Sequence, residues 1–324
     1  MGKLRFYIRT HFKHFSKIYG QIRNFKRNFY YFKKCGLKKV KNPDTFYFVI
    51  DPRRKHPGLA DRLKAIIAAY NQAKLHGLKF KIVYKIPFAL ENYLLPTSDR
   101  NNWIANYDDL EYSIRDTRFV DESRDWKFHP KKGKQYHCYN YTGDISPKIF
   151  KDSGYEWSAL FSELFTPCDE IRLAMAKTGL ERKTYNAVHL RFVNALDNFE
   201  AGHYNNLQTE EEKLALITRC KGGVKNIIDK SKKEGIDKVV VFSDSKRFLN
   251  SLSDLPVIVL DPSSIGHISF DNSHAQVIKT FLDFFMISDA VKVYRVCAKE
   301  MYLASCFSLC AARTGDAEFI SVEV

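Results

Sequence analysis

The 324-residue sequence contains no stretch approaching eighteen uninterrupted apolar residues, which argues against an ordinary membrane-spanning helix. Its N-terminus lacks the compact apolar core and small-residue cleavage site of a secretory signal. No Cys-x-x-Cys pair occurs among Cys35, Cys138, Cys168, Cys220, Cys297, Cys306 and Cys310. An odd set of cysteines, several inside apolar runs, fits small reduced hydrophobes in a reducing cytosol. The absence of G-x-x-x-x-G-K-[ST] argues against an ATPase or kinase, and the absence of G-x-S-x-G against an esterase elbow. His-Glu-x-x-His, Cys/His clusters and an Asp-x-Asp after a strand are also missing, so no metal site is predicted. The adjacent Asp108-Asp109 reads as a solvated turn.

Acidic residues are missing from one end of the chain. Residues 1–41 hold 13 Lys or Arg and no Asp or Glu, so the formal charge of +15 is concentrated there. The other 283 residues carry 39 bases against 37 acids and are nearly neutral. Within the arm, Leu4, Ile8, Phe12, Phe15, Tyr19, Ile22, Phe25, Phe29 and Phe32 recur in steps of three and four, which predicts a basic amphipathic helix with an aromatic stripe. Such an element suits an anionic membrane surface, where each Lys or Arg contributes about 1 kcal/mol. Packing on the protein body or on a partner is the alternative. Nucleic acid is not expected as a partner, because no reader motif accompanies the charge.

What is abundant is apolar and aromatic material, at 45% and 14%, enough for packed cores in a chain whose length predicts two domains. From residue 45 strands alternate with helices. TFYFVID, the helix of PGLADRLKAIIAAYNQAKLHG with Leu59, Leu63, Ile66, Ile67 and Tyr70 on one face, and LKFKIVYK form a β-α-β unit and predict a parallel sheet. Residues 87–160 are irregular and rich in Tyr, Trp, Asn and Asp, including KQYHCYNYTGD, a composition that suits a binding surface or, equally, a long polar connection. Residues 158–179 predict one or two helices. Strands are expected at 186–192, 238–244, 256–261, 290–296 and 318–324, with helices near 210–234 (broken at Gly222-Gly223), 273–287 and 304–314. The resulting fold class is α/β, with a basic arm over 1–41, a Rossmann-like domain over 42–180 and a second over 181–324.

Ligands of doubly wound sheets bind beyond the carboxyl ends of the strands. Three features fall at that edge of the second domain. His189 and Arg191 share one face of a strand end, Ser243 and Asp244 end the next strand, and Ser305 and Ser308 mark a helix start. An arginine and a helix N-terminus suit phosphates, and a strand-end carboxylate suits a base or ribose. Taken singly, His189 reads equally as a structural histidine, Asp244 as a helix cap and Ser305 as an N-cap without ligand.

Four stretches together resemble the fucosyltransferase superfamily of GT-B fold. HPGLADRLKAI is similar to the family's N-terminal glycine loop, with Gly58, Asp61 and Arg62 at matching places; His189-Leu190-Arg191 is similar to its His-x-Arg motif. VVVFSDS with Asp244 is similar to its strand-end motif. SHAQVIKTFLDFFMISDA with SCFSLCAA, containing Ser305, Phe307 and Ser308, is similar to its helix, strand and Ser-x-x-Ser turn. The chain departs from the pattern at Phe192-Val193-Asn194, in place of a second basic residue and a Thr-Asp pair, and at Asp61-Arg62, in place of Asn-Gln. The resemblance implies two Rossmann-like domains facing a cleft and no cofactor beyond a nucleotide-sugar donor, GDP-fucose or another GDP-sugar. It further implies inverting transfer to a glycan or lipid-linked glycan without a metal. Arg191 would neutralise the β-phosphate with Ser305 and Ser308, His189 and Asp244 would hold guanine or ribose, and the Gly58 loop would approach the donor. Asp61, Asp197 and Glu200 are candidates for the general base. The expected location is the cytoplasmic face of the plasma membrane. A GT-B transferase for another nucleotide sugar and a non-catalytic membrane-associated scaffold are the competing readings.

Overall fold

The computed structural model describes residues 29, 32–52, 58–120, 128–139, 150–151, 153–197, 207–260 and 273–324. Most of the predicted N-terminal helix, the segment before Gly58, Glu200 and part of the Tyr- and Asn-rich region lie outside them. The chain forms two compact units. One comprises Met1–Asp51, Gln72–Val83 and Trp103–Asn140; the other comprises Pro52–Asn71, Tyr84–Asn102 and Tyr141–Val324.

In the first unit, β1 (Thr45–Val49) lies between β2 (Lys79–Val83) and β5 (Gln135–Cys138), with β4 (Thr117–Val120) outside β5, and every pair is parallel. The expected β-α-β unit is present. Its helix α1 (Leu59–Leu75) runs across the boundary between the units and ends at Gly77, whose φ of +65° suits a residue without Cβ. Leu63 and Ala65–Ala69 are all fully buried, so the helix is covered around its circumference rather than along one stripe.

QYHC, expected on a binding surface or in a polar connection, is instead the buried strand β5. Its polar residues satisfy each other: His137 Nε2 and Gln135 Oε1 are 2.6 Å apart, and Gln135 Nε2 donates to the Asn42 carbonyl at 3.2 Å. The His137 ring is edge-on to Tyr47, Tyr112 and Phe119, and burial holds its pKa down at about 3. Asp109, expected in a solvated turn, accepts from the Asn106 N–H at 2.7 Å and closes a 3-10 turn. The end of the basic arm reaches this unit: Phe32 packs edge-on against Phe119, and the Gly36 N–H donates to the Tyr112 carbonyl at 2.9 Å.

The second unit carries a short antiparallel pair, β3 (Leu94–Pro96) with β6 (Phe165–Pro167). Helices α2 (Trp157–Leu164) and α3 (Asp169–Lys177) flank β6, so residues 158–179 form two helices. The main sheet is parallel throughout, in the order β11-β10-β7-β8-β9: β7 (Tyr185–Leu190), β8 (Lys238–Ser243), β9 (Ile258–Val259), β10 (Lys292–Cys297) and β11 (Glu318–Glu323). Its helices are α4 (Glu210–Lys233), α5 (Lys246–Asn250), α6 (His274–Ser288) and α7 (Phe307–Thr314). The winding reverses between β7 and β10, where doubly wound sheets open their ligand crevice.

Helix α4 is continuous through Gly222-Gly223, contrary to the expected break. Tertiary packing outweighs the poor helix propensity of two glycines. A Cβ on Gly223 would stand 2.7 Å from Val324 Cγ1 and 3.4 Å from Val296 Cγ1, so the missing side chain lets α4 settle onto the sheet. A capping box between Thr209 and Glu212 starts the helix.

Candidate active site

Strand β7 is buried along its whole length, and its carboxyl end delivers His189 and then Arg191 to the switch point. The His189 ring lies 5.6 Å from the ring of Phe307, the first residue of α7. Burial first, and then the Arg191 and Arg295 charges, hold its pKa down at about 3, so it is a neutral imidazole. Its Nδ1 is buried and has no hydrogen-bond partner. A neutral ring with an unused nitrogen can donate to or accept from a bound molecule, whichever tautomer it adopts.

Arg191 forms an ion pair with Asp244, its Nη1 3.1 Å from Oδ2. The Asp244 carboxylate also accepts the N–H groups of Phe192 on Oδ1 and Val193 on Oδ2, each at 2.8 Å. Val193 has a φ of +56°, a conformation that costs a β-branched residue of order 1–3 kcal/mol. Asp244 therefore clamps a strained turn and fixes the guanidinium beside it. Both of its oxygens are engaged by protein groups, so it positions this turn and the guanidinium; its expected role toward guanine or ribose is not tested by these contacts. The departure of Phe192-Val193-Asn194 from the family pattern is the turn that this carboxylate holds.

The β10–α7 connection joins the same place. The Tyr302 N–H donates to the Arg191 carbonyl at 3.2 Å. Arg295, on β10, donates from Nη1 to the carbonyls of Leu303 and Ser305 and from Nη2 to Ser321 Oγ. It anchors the loop that presents α7, a role the sequence reading missed. Its signal was the one it shares with His189 and Arg191, a polar residue toward the end of a strand in a largely buried run. Helix α7 begins at Phe307 with Cys306 as N-cap, and no side chain caps it. Ser305 therefore precedes the helix and Ser308 lies in its first turn. The Ser308 hydroxyl is fully buried and its Oγ has no partner.

The residues expected from the glycine loop divide. Gly58 leads into α1, where an added Cβ would meet nothing within 4 Å, so no close approach requires glycine among the described residues. Arg62 is an interior residue, 1% exposed, with Nη1 donating to the Tyr84 hydroxyl and the guanidinium over the Tyr84 ring. It supports the fold of the unit rather than lining a surface, correcting its expected role as a ligand. Asp61 is half-exposed and paired with Lys64 at 2.6 Å. Asp197 accepts from Ser245 Oγ at 2.5 Å, and that serine caps α5 by accepting from the Phe248 N–H. Asp197 is thereby engaged as a capping partner.

Arg191, His189, Asp244, Ser305, Phe307 and Ser308 thus come together at one edge of one sheet. No group of three or more His, Cys, Asp or Glu suited to a metal occurs among the described residues, and no described helix is long and apolar enough to cross a membrane. No protein-family model matches the sequence, and no curated protein matches it. Among solved structures, POFUT1 in complex with GDP-fucose aligns with a TM-score of 0.39 at 13% identity, covering 86% of this chain and 98% of its own. The crystal structure of NodZ alpha-1,6-fucosyltransferase soaked with GDP-fucose aligns with a TM-score of 0.51 at 14% identity, covering 83% of this chain and 92% of its own. The resemblance drawn from the four sequence stretches therefore holds at the level of fold, a mixed α/β architecture of parallel sheets shared with a fucosyltransferase.

Proposed function

We propose that the chain is an inverting, metal-independent glycosyltransferase that moves fucose from GDP-fucose to a glycan acceptor. The observation that carries this reading is Arg191, clamped by Asp244 and tied through its carbonyl to the loop before α7, at the switch point of a parallel sheet. The likeness of fold to a fucosyltransferase supports it.

The reaction expels a diphosphate that gains negative charge while the sugar becomes oxocarbenium-like. Groups already oriented toward that charge lower the barrier most, because they need no reorganisation in the transition state. Arg191 suits the task, since its planar fork meets phosphate oxygens bidentately. The uncapped N–H groups of α7 and the Ser308 hydroxyl add neutral donors. His189, held neutral by burial, adds hydrogen bonding without a charge that varies near neutrality. Asp61 is the candidate to receive the acceptor's proton as the acceptor oxygen attacks the anomeric carbon from the face opposite the departing diphosphate.

The wider setting belongs to the same proposal. Domains over 42–180 and 181–324 face a GT-B cleft, the basic arm over 1–41 holds the enzyme at the cytoplasmic face of the plasma membrane, and the acceptor is a glycan or lipid-linked glycan. Thermal shifts with GDP, UDP and ADP test the donor: GDP is expected to stabilise most, by about 2.7 kcal/mol at a hundred times its Kd. Incubation with radiolabelled GDP-fucose, membranes and acceptor sugars tests the transfer. Absence of both stabilisation and transfer would overturn the reading. Binding to anionic vesicles, lost on deletion of residues 1–41 while donor binding survives, tests the arm.

A further inference from the structure

Nine large hydrophobic side chains are exposed among the described residues, and four of them, Phe29, Phe32, Leu37 and Ile114, belong to one stretch of the first unit. Phe29 and Phe32 lie one helical turn apart, and the Phe32 ring meets Phe119 edge-on at 5.8 Å. Beyond them the chain joins the body through a parallel bridge between Gly36 and Ser113. The Gly36 N–H donates to the Tyr112 carbonyl at 2.9 Å, and the Ile114 N–H donates to the Gly36 carbonyl at 3.0 Å. Ser113 is buried, so alternation turns the next residue of each segment, Leu37 and Ile114, outward on the same side, where they are 79% and 54% exposed. The flanking residues are basic: Lys33, Lys34, Lys38, Lys39, Arg115 and Arg118 are all exposed. The two acids of the same stretch are taken up within the fold. Glu111 accepts the N–H groups of Lys41 and Asn42 at 2.8 and 3.0 Å, and Asp116 pairs with Lys134 at 2.9 Å.

Single exposed apolar residues are ordinary, but a protruding cluster flanked by charge of one sign marks an interaction surface. A nucleic acid would satisfy the bases through its phosphates, yet it offers aliphatic tips little, because its own bases stack on aromatic faces. An anionic bilayer takes both. Its headgroups meet the Lys and Arg ends, and the apolar tips pass below them into the acyl boundary, with the lysine stems lying along it. We propose that the Leu37–Ile114 bridge and its flanking bases form a membrane-insertion edge of the protein body, seating the first unit itself on an anionic lipid surface. The inference rests on the membrane reading of the basic arm and deepens it by adding Ile114 and Arg115, which lie outside the arm in sequence. A helix alone tethers a protein; a bridge hydrogen-bonded into the fold on both sides of Ser113 also fixes how the first unit meets the lipid.

Co-sedimentation of the full chain with vesicles of phosphatidylcholine, alone and with about one-third phosphatidylserine, tests the proposal. Wild-type protein is expected to bind the anionic vesicles far better. Leu37→Ser combined with Ile114→Ser, in the otherwise intact chain, is expected to weaken that binding roughly tenfold, the loss of two partly inserted aliphatic side chains. Leu37→Met with Ile114→Met, which keeps apolar tips, is expected to bind as wild type does. Arg115→Gln is expected to cost about fivefold on anionic vesicles, an effect that fades as salt is raised. Because these side chains are exposed, the variants are expected to unfold at the wild-type urea concentration, and Leu37→Ser alone, weaker by roughly threefold, is scored if the double variant does not fold. Undiminished vesicle binding by the folded serine variant, with binding lost on deletion of residues 1–41, overturns the inference and leaves the arm reading standing. Wild-type protein that ignores anionic vesicles overturns both. Wild-type binding to a single-stranded oligonucleotide, weakened by the serine substitutions as much as vesicle binding is, overturns lipid as the occupant.

Discussion

At the scale of single residues, Asp244 connects fold and chemistry. One carboxylate holds the left-handed Val193, the adjoining Phe192 N–H and the Arg191 guanidinium. Asp244→Asn keeps the shape but turns an amide donor toward groups that themselves donate. We expect it to cost about 2–4 kcal/mol in urea-unfolding stability, as for a broken, mostly buried ion pair. Arg191→Ala breaks the same ion pair but acts on the reaction as well. In protein that remains folded it is expected to remove about 3 kcal/mol of transition-state stabilisation, roughly a hundredfold in kcat. Near-wild-type turnover in that variant would dismiss this guanidinium as the leaving-group ligand. The pair His189 and Arg191 was legible from the sequence because period-two alternation places both on one face of a strand end. The use of Asp244 was not, because its partners are backbone N–H groups of a turn that no side-chain pattern records. Arg62 misled for a related reason. A charged residue near a loop reads as exposed until its buried phenol partner, Tyr84, is seen.

At the scale of elements, two glycines show how packing selects a residue. A Cβ on Gly315, the C-cap of α7, would stand 1.6 Å from the carbonyl oxygen of Ser288, the last residue of α6. Backbone cannot yield as a side chain does, so Gly315→Ala is expected to cost at least about 3 kcal/mol, visible as a lowered Tm. At Gly223 the obstacle is the end of the Val324 side chain, and Gly223→Ala is expected to change stability by about 1 kcal/mol or less, since the gain in helix propensity offsets the crowding. If both substitutions cost the same, close backbone approach is not what selects Gly315. Strands β1, β2, β7, β8, β10 and β11 were readable as apolar runs between turns. Strand β5 was hidden because Gln135 and His137 pair with each other in the interior, giving a polar spelling to a buried strand. The continuity of α4 was hidden as well, since two adjacent glycines break a helix only when nothing presses on it.

At the scale of the molecule, the two histidines held neutral by burial make stability depend on pH. His137 and His189 titrate near 3 in the folded chain against 6.5 when unperturbed. Between those values the unfolded chain binds protons that the folded chain refuses. Stability therefore falls as pH drops through this window and levels off above about 6.5, with a combined slope of up to about 3 kcal/mol per pH unit. Denaturant unfolding at intervals from pH 4 to 7.5 measures it; half the slope would mean that one ring opens to solvent, and a flat profile that both do.

The strand order also governs how the molecule is made. Strand β7 gains β8 as a neighbour early, but β10, which closes its other side, is not synthesised until residue 292 and beyond. A nascent chain released to about residue 260 already holds β7 to β9 with one flank of β7 open, the flank that β10 later closes. That nascent chain therefore exposes an unpaired strand edge, a template for aggregation, until β10 is made. A truncation ending after β9 should be captured by chaperones or precipitate, and soluble protein should return only when the chain extends through β11.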